Sequence, residues 1–123
     1  MSDRARRLAA HRRGIDAESR VAGVLGDAGW TVLARNWRGG GGELDLVVTR
    51  DGAVRLVEVK LRELGDARAD EAVPQAKRRR LRGAALAWLQ EHPAPREVCF
   101  LLAWVDVATG EVVLLDDPFD LGS

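Results

Sequence analysis

Three ionisable side chains stand where strand-like segments leave least room for charge. Asp45 lies within Leu44-Asp45-Leu46-Val47-Val48, and Glu58 and Lys60 lie within Leu56-Val57-Glu58-Val59-Lys60. Strand interiors avoid ionised groups because a charge taken out of water is costly without a partner. Between the two segments, Asp51-Gly52 is the signal of a two-residue hairpin turn. A hairpin closed there sets Asp45 opposite Glu58 and Glu43 opposite Lys60. Alternation then gathers all four on one face, beside Val47, Val54 and Leu56. Directly opposed side chains have Cβ atoms roughly 4.5–5.5 Å apart, and like charges there repel. Two carboxylates so placed call for a cation, either Lys60 or a divalent metal.

Magnesium takes oxygen ligands, typically one or two carboxylates completed by water and a substrate phosphate. It polarises a phosphoryl oxygen and acidifies a bound water. The chemistry that fits is therefore metal-assisted phosphodiester hydrolysis with Mg²⁺ or Mn²⁺. Asp45 and Glu58 are the expected ligands, and Lys60 orients the attacking water or steadies the charge that develops. The plain alternative is a hairpin with one wet face, on which Glu43 and Lys60 pair and the two acids are solvated. A bulge is the weak joint, since one would part Asp45 from Glu58.

The surrounding elements favour the site. Ile15, Val21, Ala22, Leu25 and Ala28 recur at helical spacing, with Gly29 as a stop. Glu18 falls inside that apolar stripe, where an unpaired acid is unusual. Residues 30–34 read as a strand and 35–42 as a loop ending in four glycines. A second helix is expected to begin near Glu71–Pro74 and end before Pro93, with Leu81, Ala85, Trp88 and Leu89 as its apolar stripe. Lys77 lies in line with that stripe. Val98–Val105 reads as a buried strand, and Glu111–Leu115 as a last strand across the Thr109-Gly110 turn. The order α-β-β-β-α-β-β predicts a single α/β domain over residues 14–123, one sheet flanked by helices, after a basic, flexible tail over 1–13.

Bulk properties narrow the class. The 123 residues suit one domain, and 46% apolar with 31% charged residues suits a soluble globular chain. The longest apolar run is too short to cross a bilayer, and the first residues lack the apolar core of a secretory signal. Cys99 stands alone, which excludes an internal disulfide and a cysteine-rich zinc site. A cytoplasmic location with no membrane partner is the expectation. Net charge is zero, but bases crowd residues 4–13 and 77–82 while acids collect towards the C-terminus. Such asymmetry permits a basic face for phosphates. Lys60 and Lys77 are the two lysines among 19 basic side chains, and lysine, unlike arginine, offers a compact ammonium with a tunable pKa.

Asp45 followed by Glu58-Val59-Lys60 resembles the D…(D/E)-x-K signature of the restriction-endonuclease-like nuclease superfamily. The wider text is more specific. Gly14 and Glu18, Asn36-Trp37-Arg38, Gly42 to Val47, Val57 to Arg62 and Ala72 to Lys77 together are similar to the YraN family of small, largely uncharacterised bacterial proteins. The resemblance covers roughly residues 14–105. It implies a restriction-endonuclease-like fold, a central mixed sheet flanked by helices, as in archaeal Holliday-junction resolvases. By that analogy Glu18, Asp45, Glu58 and Lys60 carry catalysis, with Glu18, Asp45 and Glu58 on the metal. Two departures stand out. The residues before Glu43 are all glycine, which weakens a backbone contact or leaves the loop mobile. Residues 96–100 lack an Asp after Arg96, a position read as structural. The glycines are no P-loop, since no Lys-Ser/Thr pair follows.

Arg38, Arg62, Lys77, Arg78 and Arg79 are then expected to hold phosphates, which positions a nucleic acid without reading its sequence. Trp37 reads as a packing residue before a base-stacking one. The expected activity is Mg²⁺-dependent, structure-selective cleavage of branched or damaged DNA. The alternative is a non-catalytic nucleic-acid-binding or adaptor domain on the same fold. Nucleic acid, DNA foremost, is the expected partner, and a homodimer is left open.

Overall fold

The computed structural model describes residues 16–62, 75–92 and 97–116. The expected tail over 1–13, Gly14, Pro74 and the expected start of the second helix lie outside the described residues. Residues 16–27 are helical, here α1, and bury Ala17, Val21, Ala22 and Leu25. Gly29, at φ +93°, ends this helix. Trp30 N–H donates to Leu25 O and Gly29 N–H to Gly26 O, each at 3.0 Å, the paired bonds of a glycine-terminated helix.

Five strands follow, interrupted by one helix: β1 Thr31–Gly39, β2 Gly42–Arg50, β3 Ala53–Arg62, α2 Gln75–Glu91, β4 Glu97–Asp106 and β5 Val112–Asp116. They form one sheet in the order β1-β2-β3-β4-β5. Every neighbouring pair is antiparallel except β3 and β4, which run parallel. A parallel join needs a crossover, and α2 lies on the chain that makes it. The sequence-predicted element order is observed, and the chain is a single α/β domain with a mixed sheet between two helices, a restriction-endonuclease-like arrangement.

Alternation along β3 and β4 divides the interior in two. Val54, Leu56, Phe100, Leu102 and Trp104 join Leu81, Ala84, Ala85 and Trp88 on the α2 side. Val57, Leu101, Ala103 and Val105 join Ala17, Val21, Ala22 and Leu25 on the α1 side. Trp37 of β1 meets Trp88 edge to face, with ring centroids 5.6 Å apart at 88°. It is thus a packing residue. Among the described residues no helix is long and apolar enough to cross a membrane.

The expected loop over 35–42 is corrected: β1 runs on through Gly39, and the turn is confined to Gly40 and Gly41 at φ +59° and +83°. Asn36 hid the strand. Its φ is +49°, and Ala34 and Trp37, on either side of it, both pack towards α2. The two-residue alternation therefore slips by one at Asn36, and no period-2 pattern survives in the sequence. The same slip crosses to β2, where Leu44 and Val47 pack towards α2 but Leu46 and Val48 towards α1.

The glycine run is also corrected. Its lack of side chains lets the turn approach α2. A Cβ on Gly42 would strike the Arg80 carbonyl, and one on Gly40 the Gly83 carbonyl, while one on Gly83 would strike the Gly40 carbonyl. The β1–β2 turn thus lies directly on the backbone of α2. Gly41 has open space around it.

Candidate active site

The β2–β3 ladder pairs Leu46 with Val57, Val47 with Leu56, Val48 with Arg55, Thr49 with Val54 and Arg50 with Ala53. This is the register expected from the turn, where Asp51 and Gly52 have φ +52° and +83°. The recorded pairs stop at Leu46 and Val57, one step short of Asp45 and Glu58. There Asp45 substitutes for the backbone: its Oδ2 accepts a hydrogen bond from Val59 N–H at 2.8 Å. The slip at Asp45 is the kind of irregularity that could have parted it from Glu58. Its carboxylate instead reaches the strand that carries Glu58, and the two acids remain neighbours.

Glu58 is 5% exposed and is the one charged residue among the buried set described. Lys77 Nζ lies 3.0 Å from its Oε1. Burial and the Glu58 charge push the Asp45 carboxyl up to about 7, against the pull of the Val59 N–H and of Lys77. Among the described residues the ion pair at these two acids is Lys77 with Glu58, which leaves the pair short of positive charge.

Glu18 comes from α1, on the other side of the sheet. Burial raises its pKa, the Asp45 charge adds to the rise, and a hydrogen bond from the Asn36 side chain opposes it. Both helices therefore send a charged residue to the same end of the sheet, which their stripes alone left open. Among the described residues, however, no group of three or more His, Cys, Asp or Glu side chains is close enough to hold a metal ion. Asp45 and Glu58 form the pair, with Glu18 as a neighbour felt through its charge.

The expected Glu43–Lys60 pairing is not in the recorded β2–β3 ladder. Glu43 lies across from Arg38 on β1, with Arg38 Nε 3.6 Å from its Oε2. Lys60 is half-buried on β3, in register with Trp104 of β4, and follows Glu58 on the same face by alternation.

A cleft of about 480 Å³ opens over the acids, lined by Asp45, Glu58, Lys77, Glu43, Arg38 and Arg80 together with the glycine turn and Leu81. Of the five basic residues expected at phosphates, Arg38 and Lys77 line it. Arg62 instead lies over the Trp104 ring at 5.2 Å, Arg79 is exposed and Arg78 half-buried. Sequence reasoning left Arg80 out of that set, and it missed Asn36 as a partner of Glu18. Arg80 could have been found from the helical phase it shares with Lys77, three residues earlier.

These features frame the comparison with known proteins. The family described as "Uncharacterised protein family UPF0102" matches residues 17–109. The chain belongs to the UPF0102 family. A UPF0102 protein of Methylorubrum extorquens is 46% identical over 89 residues, covering 72% of this chain and 69% of its own. One from Gloeobacter violaceus is 47% identical over 92 residues, covering 72% and 73%. One from a Bradyrhizobium species is 40% identical over 92 residues, covering 75% and 64%. The UPF0102 match takes in Glu18, Asp45, Glu58, Lys60 and Lys77, so every member of the candidate site falls within it. The expected YraN-like membership is thereby met.

Proposed function

We propose that this UPF0102 chain is a Mg²⁺- or Mn²⁺-dependent endonuclease that hydrolyses phosphodiester bonds in branched or damaged DNA. The observation that carries the reading is the buried pair Asp45 and Glu58, two adjacent acids with the Lys77 ammonium 3.0 Å from Glu58 as counter-charge. Hard carboxylate oxygens in a cluster left short of positive charge fit Mg²⁺, which is commonly held by one or two carboxylates plus water and substrate phosphate. Asp45 and Glu58 would hold it, with Glu18 fixing a coordinated water. When bound, the ion supplies charge for the phosphoryl oxygen and an acidified water.

The chain's own groups do the rest. Val59 N–H and the slip in β2 fix the Asp45 carboxylate, so that this ligand is positioned by backbone. Lys60, on the same face as Glu58, orients the attacking water and steadies charge on the phosphorus centre. Hydrolysis joins the water oxygen to phosphorus as one P–O ester bond breaks, the proton passing to the departing oxygen through solvent. Arg38, Lys77 and Arg80 flank the acids in the cleft and suit the phosphates on either side of the scissile one. Contacts of that kind position a nucleic acid without reading its sequence, which favours recognition of DNA structure.

A panel of duplex, single-stranded, flap and four-way-junction DNA, incubated with Mg²⁺ or Mn²⁺, tests the activity. Cleavage is expected with the wild type and a loss of at least about 100-fold in Asp45→Ala and Glu58→Ala. Retained cleavage in either variant would sink the assignment. One observation favours the non-catalytic adaptor reading: Lys77 already stands at Glu58, as a purely structural ion pair would. Calorimetry with Mn²⁺ on the wild type and on Glu58→Gln separates the two, since the adaptor binds DNA but takes up no metal.

A further inference from the structure

Lys77 has two environments within reach of one flexible stem. Its ammonium is 3.0 Å from Glu58 Oε1, on a carboxylate that is 7% exposed, while its own side chain remains 40% exposed. It also lines the cleft with Arg38 and Arg80, where a phosphate would lie. Lys77 enters from the start of α2, whose first described turn carries no acid to hold it within its own helix. Lysine, with its four-carbon stem and compact charge, suits movement between two anions, whereas a guanidinium locks onto a carboxylate in two parallel bonds.

We propose that Lys77 is an exchangeable cation: it neutralises Glu58 in the metal-free protein, yields that carboxylate to a divalent ion, and turns its ammonium to a nucleic-acid phosphate in the same cleft. The inference rests on the nuclease reading. Metal and nucleic acid are coupled through one side chain, and each must then tighten binding of the other by the same factor. While Lys77 holds Glu58 it contributes nothing to DNA, and once released it adds a phosphate contact. The Asp45–Glu58 pair keeps a single close cation throughout, which avoids leaving Glu58 buried and unpaired in either state.

The test measures Ca²⁺ and Mn²⁺ affinity by calorimetry, and four-way-junction affinity by fluorescence anisotropy with and without Ca²⁺. The proteins are the wild type, Lys77→Gln and Lys77→Arg, kept at about pH 8.5 so that protons do not compete for Asp45. Lys77→Gln removes the competitor and is expected to bind metal about fivefold more tightly. Lys77→Arg, with a stronger grip on Glu58, is expected to bind metal more weakly than the wild type. Without metal, Lys77→Gln should match the wild type on DNA; with Ca²⁺, it should lose several-fold of the wild-type gain. Opposite shifts in the two variants, both confirmed folded by circular dichroism, are what a merely structural lysine would not produce. Weaker metal binding in Lys77→Gln, or equal loss of DNA affinity with and without metal, overturns the exchange alone. A wild type that binds no metal overturns the nuclease reading and the exchange together.

Discussion

Asp45 is where the chain stores electrostatic strain. Its carboxyl is pushed up from the ordinary aspartate range to about 7 by burial and by Glu58, so the folded protein holds a proton that the unfolded chain releases near 4. Across that interval the native state binds more protons than the unfolded one, and stability falls as pH rises, levelling off above about 7. Glu18, raised for similar reasons, acts in the same direction. Asp45→Asn removes the charge but keeps an oxygen for the Val59 N–H. It is expected to stabilise the protein by on the order of 2 kcal/mol at about pH 8 and to have little effect at about pH 5. Urea unfolding at the two pH values reads this directly. Loss of stability in Asp45→Asn at the higher pH would show that the acid is held by favourable contacts instead. The types and spacing of Asp45, Glu58 and Lys60 were enough to suspect a site. What they could not convey is the hydrogen bond to Val59, because it exists only where the ladder gives out and a side chain takes the place of a backbone carbonyl.

At the level of elements, the β1–β2 turn and α2 form one wall of the cleft through backbone contact. Two neighbouring substitutions separate its possible causes. Gly42→Ala drives a methyl into the Arg80 carbonyl and is expected to cost about 2 kcal/mol or more, since neither backbone can yield cheaply. Gly41→Ala meets nothing within 4 Å and suffers only for its φ of +83°, a penalty of about 1 kcal/mol. Thermal melts should rank them in that order, and equal losses would mean that turn conformation alone accounts for the glycines. In sequence the four glycines were legible as a turn and nothing more. Their purpose depends on Gly83, some forty residues away, and periodicity within either segment carries no trace of it. The slip at Asn36 was lost for a related reason: alternation reports a strand only while the backbone stays regular. Where the backbone was regular, as in β3 and the apolar stripe of α2, periodicity located the elements correctly, and β4 was legible as an unbroken apolar run.

The whole molecule joins a local half to a distant one. Hydrophobic alternation, two turn signals and a helix ahead of a buried strand made one sheet with flanking helices legible, because each of those cues is local, whereas its mixed character was implied only by the family resemblance. Which arginines reach the cleft was legible only in part: Arg80 shares the helical phase of Lys77 and lines the cleft, whereas Arg62, expected at phosphates, packs on Trp104. The parallel pairing of β3 with β4 has a further consequence, in time. Residues 31–62 close on one another through two short turns, whereas β4 reaches β3 only after α2 has been laid across the sheet. Contacts between sequence neighbours form ahead of those that close a long loop. Asp45 and Glu58 therefore come together in the nascent hairpin before Lys77 docks, and the chain crosses its folding barrier with the two acids together and the Lys77 ammonium not yet in place. Chevron analysis of Lys77→Met should give a φ-value near zero, with Val48→Ala in the hairpin far higher. The reverse ranking would put the crossover first. On this order of events, the last native charge contact to form at the cleft is also the first that a bound cation would replace.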